Sequence, residues 1–142
     1  MDNEARVELV NPPQLGPPVG FSHAARAGNL VYTGGQIGCD AGGRVLAPGD
    51  LVAQFARALA NVAVALRAAG CEPQDAIKLT YFVTDVPAYR AHLKKIGAAY
   101  REVFGRHYPA TSLFGIQELF DPQALIEIEC VAIRRAAPDP ST

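Results

Sequence analysis

The run Leu125 to Ile133, LIEIECVAI, constrains this chain more than any other stretch, because it sets two carboxylates inside an otherwise apolar strand. A strand sends alternate side chains to opposite faces. Ile126, Ile128, Cys130 and Ala132 therefore share one face, and Leu125, Glu127, Glu129, Val131 and Ile133 the other. The first face reads as core. The second is neither a clean core face nor a clean solvent face. Its charges between large aliphatics call for a cover other than the chain's own helices. A neighbouring subunit is the simplest cover, and a ligand cleft at the join would account for the carboxylates.

Upstream, the hydrophobic period changes twice. Leu51, Phe55, Ala58, Leu59, Val62 and Leu66 recur every three or four residues, the stripe of an amphipathic helix. Asp50 stands where an N-cap belongs and Gly70 where a helix stops. Asp75 to Thr84 returns to period two, with Ile77, Leu79, Tyr81 and Val83 on one face. Pro87 to Phe104 reads as a second helix whose buried stripe is Tyr89, Leu93, Ile96, Tyr100 and Phe104. Further strands are expected at Arg6 to Val10, Phe21 to Ala25, Leu30 to Thr33 and Ala110 to Leu119, with Gly28-Asn29 as a hairpin turn. The prolines between Asn11 and Pro18 interrupt regular structure. The order β-β-β-α-β-α-β-β predicts an α+β fold, a single mixed sheet with two helices on one face. Residues 1–142 read as one domain with its core in about 15–135, and the tail after Ala136 as frayed.

With 142 residues and 49% hydrophobic content, the chain can bury a sizeable core. A formal net charge of -1 lacks the basic footprint of a nucleic-acid binder. Cys39, Cys71 and Cys130 fit neither a metal-ligand spacing nor an even disulfide set. The charged N-terminus lacks the apolar core of a signal peptide, and no run is read as long enough to cross a membrane. A cytoplasmic protein with no membrane and no nucleic-acid partner is expected.

The ordered set Phe21-Ser22-His23-Ala24, Gly28 through Ile37, Gln54, Leu59 with Asn61, Ala69-Gly70, Asp75 with Lys78 through Asp85, Pro109-Ala110 and Ile126-Glu127-Ile128-Glu129 resembles the reactive intermediate deaminase family, the RidA/YjgF group. The resemblance covers about residues 15–135. It implies a chorismate-mutase-like domain forming a homotrimer, with clefts between adjacent subunits. It also implies hydrolysis of enamines and imines such as 2-aminoacrylate to 2-keto acids and ammonia, with no metal and no cofactor.

In this family an arginine after Pro-Ala holds the substrate carboxylate, and a glutamate in the last strand places the attacking water. The glutamate corresponds to Glu127, the candidate catalytic residue. The arginine is replaced by Thr111, a tyrosine by Phe21, a serine by Gly34, an asparagine by Gly97 and a cysteine position by Leu113. Phe21, Gly34, Gly35, Thr111, Ser112 and Leu113 are thus the candidate ligand-binding residues. Arg101, Arg106, His107, Arg134 and Arg135 are candidates for a replacement cation, while His23 and His92 have no partner at catalytic spacing. Loss of the arginine implies weak activity on 2-aminoacrylate. The expectation is a modified cleft for a small enamine, imine or carbonyl metabolite. A non-catalytic binding or regulatory protein is the alternative, and a ribonuclease or translation inhibitor the weaker one.

Overall fold

The computed structural model describes residues 6–135. The expected frayed tail after Ala136 lies outside them. Strands β1 (Val7–Val10), β2 (Ala24–Ala27) and β3 (Leu30–Thr33) form a meander, and β4 is the two-residue strand Gln36–Ile37. Helix α1 (Leu51–Ala68) leads to β5 (Ala76–Val83), and α2 (Val86–Ala91) and α3 (Leu93–Phe104) lead to β6 (Ala110–Gly115) and β7 (Ile126–Ile133). The sheet order is β1-β2-β3-β7-β5-β6, with β4 also paired to β7. Only β5 and β6 run parallel, so the sheet is mixed as expected.

Helix α1 forms where the 3.6 period predicted it. The Asp50 side chain accepts a hydrogen bond from the Ala53 amide, and Gly70 follows the last turn at φ 89°. Its expected stripe is buried throughout, packed on the inner face of the sheet with Ile126, Ile128, Cys130 and Ala132. In length and mean hydropathy (1.3) α1 does reach membrane-spanning range, contrary to the reading of the runs. More than half of its residues are buried inside the domain, which accounts for that apolarity.

Four other expectations change. The second helix is broken at His92, whose Nδ1 lies 2.7 Å from the Ala88 carbonyl oxygen and stands in for the helical hydrogen bond there. At this break Leu93 is 57% exposed, so it leaves the buried stripe. In β5 a bulge between Ala76 and Lys78 displaces Ile77 outward, and Ala76 takes the inward place. Strand β6 ends at Gly115 rather than Leu119, because its partner there, Val83, is the last residue of β5 and leaves no further backbone to pair with. The expected strand at Phe21 to Ala25 starts only at Ala24, since His23 and Ser22 are held by Asn11 and by the Gly34 amide.

The helices leave the other sheet face open. Val7, Leu9, Leu30, Tyr32, Phe114 and Ile133 are each at least 37% exposed there. Gln54, fully buried, joins this sheet to α1: its Nε2 donates to the Ala47 and Gln123 carbonyls and its Oε1 accepts from the Leu125 amide. Gln54→Ala strands these buried backbone groups and is expected to lower stability by about 3 kcal/mol, measured by urea denaturation.

Candidate functional site

The candidate residues fall on opposite faces of the sheet. Glu127 projects from β7 onto the open face, in register with Ile37 of β4 and Phe82 of β5. Gly35, just after β3, is what lets it lie there: a Cβ on Gly35 would sit 2.3 Å from Glu127 Oε1. A Cβ on Gly34 would sit 2.8 Å from the Ser22 carbonyl oxygen. The room left by these two glycines is therefore already filled, by a carboxylate and by backbone, and is not spare volume for a ligand.

Around this point the chain is tightly tied. The Gly34 amide donates to the His23 carbonyl, and the Asn11 side chain accepts from the His23 amide. His23 is buried, with Nε2 3.1 Å from the Gly16 carbonyl oxygen and Nδ1 3.3 Å from Gln36 Nε2. A carbonyl can only accept, so Nε2 donates to Gly16, and the Gln36 amide nitrogen can only donate, so Nδ1 accepts from it. His23 thus ties the loop through Gly16 to β4. Phe21 meets its ring edge-on at 5.3 Å and is 59% exposed.

Glu127 is half-buried and makes no side-chain hydrogen bond or ion pair among the described residues. Burial, and then the Glu129 carboxylate on the same face, push its carboxyl above the ordinary range. A carboxylate shifted in this direction is a stronger base than an exposed one, as a group that takes and returns a proton should be. Burial pushes the Cys130 thiol up to about 12, which keeps it a neutral core group. Among the described residues no three His, Cys, Asp or Glu side chains converge as a metal site would require.

Thr111 and Leu113 point to the helix side, in register with Leu79 and Tyr81 of β5. Ser112 points to the open face and accepts a hydrogen bond from Lys78 Nζ at 2.6 Å. Thr111 lies at the mouth of a cleft of about 280 Å³ between β5, β6 and the α2–α3 unit. Phe55, Tyr81 and Ile96 form its buried floor, Tyr89 and Tyr100 its walls, and Arg101 and Tyr108 its rim. Of the proposed replacement cations, Arg101 alone lines this cleft. Arg135 pairs with Asp75 at 2.8 Å, and His107 Nε2 is 2.8 Å from the Ala76 carbonyl oxygen.

This fold agrees with the matches to known proteins. The family model described as endoribonuclease L-PSP matches residues 13–134. The chain belongs to this family, the RidA/YjgF group. Among relatives of this RidA/YjgF member, the Drosophila melanogaster RutC family protein UK114 is 32% identical over 127 residues, 89% of this chain and 88% of its own. The 2-iminobutanoate/2-iminopropanoate deaminase of Capra hircus is 28% identical over 123 residues, 87% and 84% of the two chains. The crystal structure of the E. coli YjgF gene product superimposes with a TM-score of 0.77 at 30% identity, over 90% of this chain and 99% of that one.

The aromatic cleft was missed in the sequence. Four of the chain's five tyrosines line it, all but Tyr32. Two of them, Tyr89 and Tyr100, were read as ordinary helix core. The available signal was tyrosine in place of leucine at stripe positions.

Two measurements test the Glu127 environment. The folded chain holds the Glu127 proton more tightly than the unfolded chain, so this residue's contribution to stability falls as pH rises above the ordinary 4.5. Glu127→Gln should therefore raise stability at pH 7 and leave it unchanged near pH 4, read by thermal unfolding at both. Gly35→Ala forces the carboxylate off its seat into solvent, and a carboxyl-carbon NMR titration should show the Glu127 pKa moving back toward the ordinary value.

Proposed function

We propose that this RidA/YjgF member hydrolyses a small enamine or imine to a carbonyl compound and ammonia, in clefts between the subunits of a homotrimer. One observation carries the reading: Glu127 and Thr111 lie on opposite faces of one sheet. A single chain cannot bring them to one ligand. Two copies can, with the open face of one set beside the Thr111 cleft of the next. The exposed apolar side chains on that open face support such an assembly.

The chemistry follows from the carboxylate. Glu127 takes a proton from water as the oxygen bonds to the C=N carbon, giving a carbinolamine. It returns this proton to nitrogen to complete the neutral carbinolamine, then carries the remaining hydroxyl proton to nitrogen as the C–N bond breaks, leaving a C=O group and ammonia. No electrons are exchanged with another reagent. The goat relative, named for deamination of 2-iminobutanoate and 2-iminopropanoate, supports this reaction class. Thr111 carries no charge, so 2-aminoacrylate is expected to be hydrolysed little faster than in water alone. A ribonuclease reading gains no support from a net charge of -1.

Imines generated in situ from a panel of amino acids by an amino-acid oxidase, with keto-acid release followed, test the reaction. At least one should be accelerated, and Glu127→Gln should reduce that acceleration by about 100-fold or more. No acceleration with any imine would leave a binding protein on the same fold. In multi-angle light scattering the protein should have the mass of three chains, and a monomer at micromolar concentration would overturn the shared-cleft reading.

A further inference from the structure

The cleft beside Thr111 has a composition that points to a particular ligand. Its floor, walls and rim are largely aromatic. On one side Phe55 meets Tyr81 and Tyr89 edge to face, and the two tyrosines are tilted to each other, with centroids 5.6 to 6.4 Å apart. Tyr100 and Tyr108 stack in parallel at 5.4 Å on the other. Flat walls of this kind favour a flat, apolar guest. At about 280 Å³ the space is at the lower end of small-molecule sites, enough for one ring and its substituents.

Its polar groups are few and unequal. The Tyr100 hydroxyl donates to the His107 carbonyl, so it is committed. Thr111 donates its hydroxyl hydrogen to the Pro109 carbonyl at 2.9 Å, which leaves only lone pairs toward the cleft. Thr111 in this arrangement repels an anion rather than holding one. Tyr81 is buried apart from its edge on the cleft, and its hydroxyl, which makes no hydrogen bond among the described residues, is not sealed in the core but open to that space. It is therefore free to exchange water for a ligand's polar group.

The charge in the cleft is Arg101. The ion pairs among the described residues use Arg26, Arg67 and Arg135, and none uses Arg101. Its place is made by Gly97, one turn earlier on α3: a Cβ there would come within 3.3 Å of Arg101 Nη1. Glycine inside a helix lowers its stability relative to alanine. Gly97 forgoes that stability and gives the guanidinium room to lie along the helix toward the cleft.

We infer that this cleft binds a small aromatic carboxylate, with Arg101 as its charge partner and the Tyr81 hydroxyl meeting a polar group at its inner end. A planar guanidinium suits the two oxygens of a carboxylate. Arg101 thus replaces, from a helix, the cation that Thr111 removed from the strand. As a statement of substrate class this rests on the hydrolase reading above, which it narrows to imines bearing a ring and a carboxylate.

The test uses benzoate, benzamide and acetate as probes of the wild-type protein, titrated by calorimetry and by NMR. Benzoate should bind at least tenfold more tightly than benzamide, which lacks the charge, or acetate, which lacks the ring. Arg101→Gln should lower benzoate affinity to the benzamide level, and Arg101→Lys should retain part of it. Gly97→Ala should raise thermal stability while weakening benzoate, an outcome that a purely structural Gly97 would not give. Benzoate bound no better than benzamide, not bound at all, or bound equally by Arg101→Gln would overturn the inference. Benzoate bound through Arg101 by a protein inactive on every imine would remove the hydrolase reading and leave this one. Imine hydrolysis indifferent both to the ring and to Arg101→Gln would do the reverse.

Discussion

Strand β7 is hydrogen-bonded along both edges, to β3 and β4 on one side and β5 on the other. That central position fixes its alternation, because a slip of one residue would turn every side chain to the wrong face. Ile126, Ile128, Cys130 and Ala132 must then meet α1, and Glu127 and Glu129 must face away from it. The core and the candidate chemistry are thus set by one choice of register. Gln54 reinforces it from α1 by binding the backbone on either side of the turn into β7.

Two glycines do comparable work on opposite sides of the sheet. Gly35 admits the Glu127 carboxylate against the backbone, and Gly97 admits the Arg101 guanidinium against α3. Each trades a side chain for the placement of a charged group. The result separates a carboxylate with a raised pKa from an unpaired cation by the thickness of a sheet. Under the proposed assembly such a pair would act on one molecule, and burial of the open apolar face would favour it.

Much of the fold was legible because burial imposes a period. The stripe from Leu51 to Leu66 and the alternation from Ile126 to Ile133 each matched the element that formed. Breaks were not legible. The stop at His92 depends on an imidazole reaching the Ala88 carbonyl, and the bulge at Ile77 on how β5 meets β7. Neither leaves a trace in hydrophobic pattern. The expected strand from Phe21 begins only at Ala24, because Ser22 and His23 are tied to Asn11 instead, which no local pattern shows.

The sequence by itself determined the mixed sheet with helices on one face, the outward carboxylates of the last strand and the absence of an arginine at Thr111. These follow from periodicity and from residue identity, which are local properties of the chain. Only the tertiary structure decided that Thr111 and Glu127 face apart, that the space beside Gly34 and Gly35 is occupied, and that Arg101 rather than Arg135 enters an aromatic cleft. Those facts depend on which distant segments pack together. The distance between side chains on different elements is fixed by packing, and no spacing along the chain encodes it.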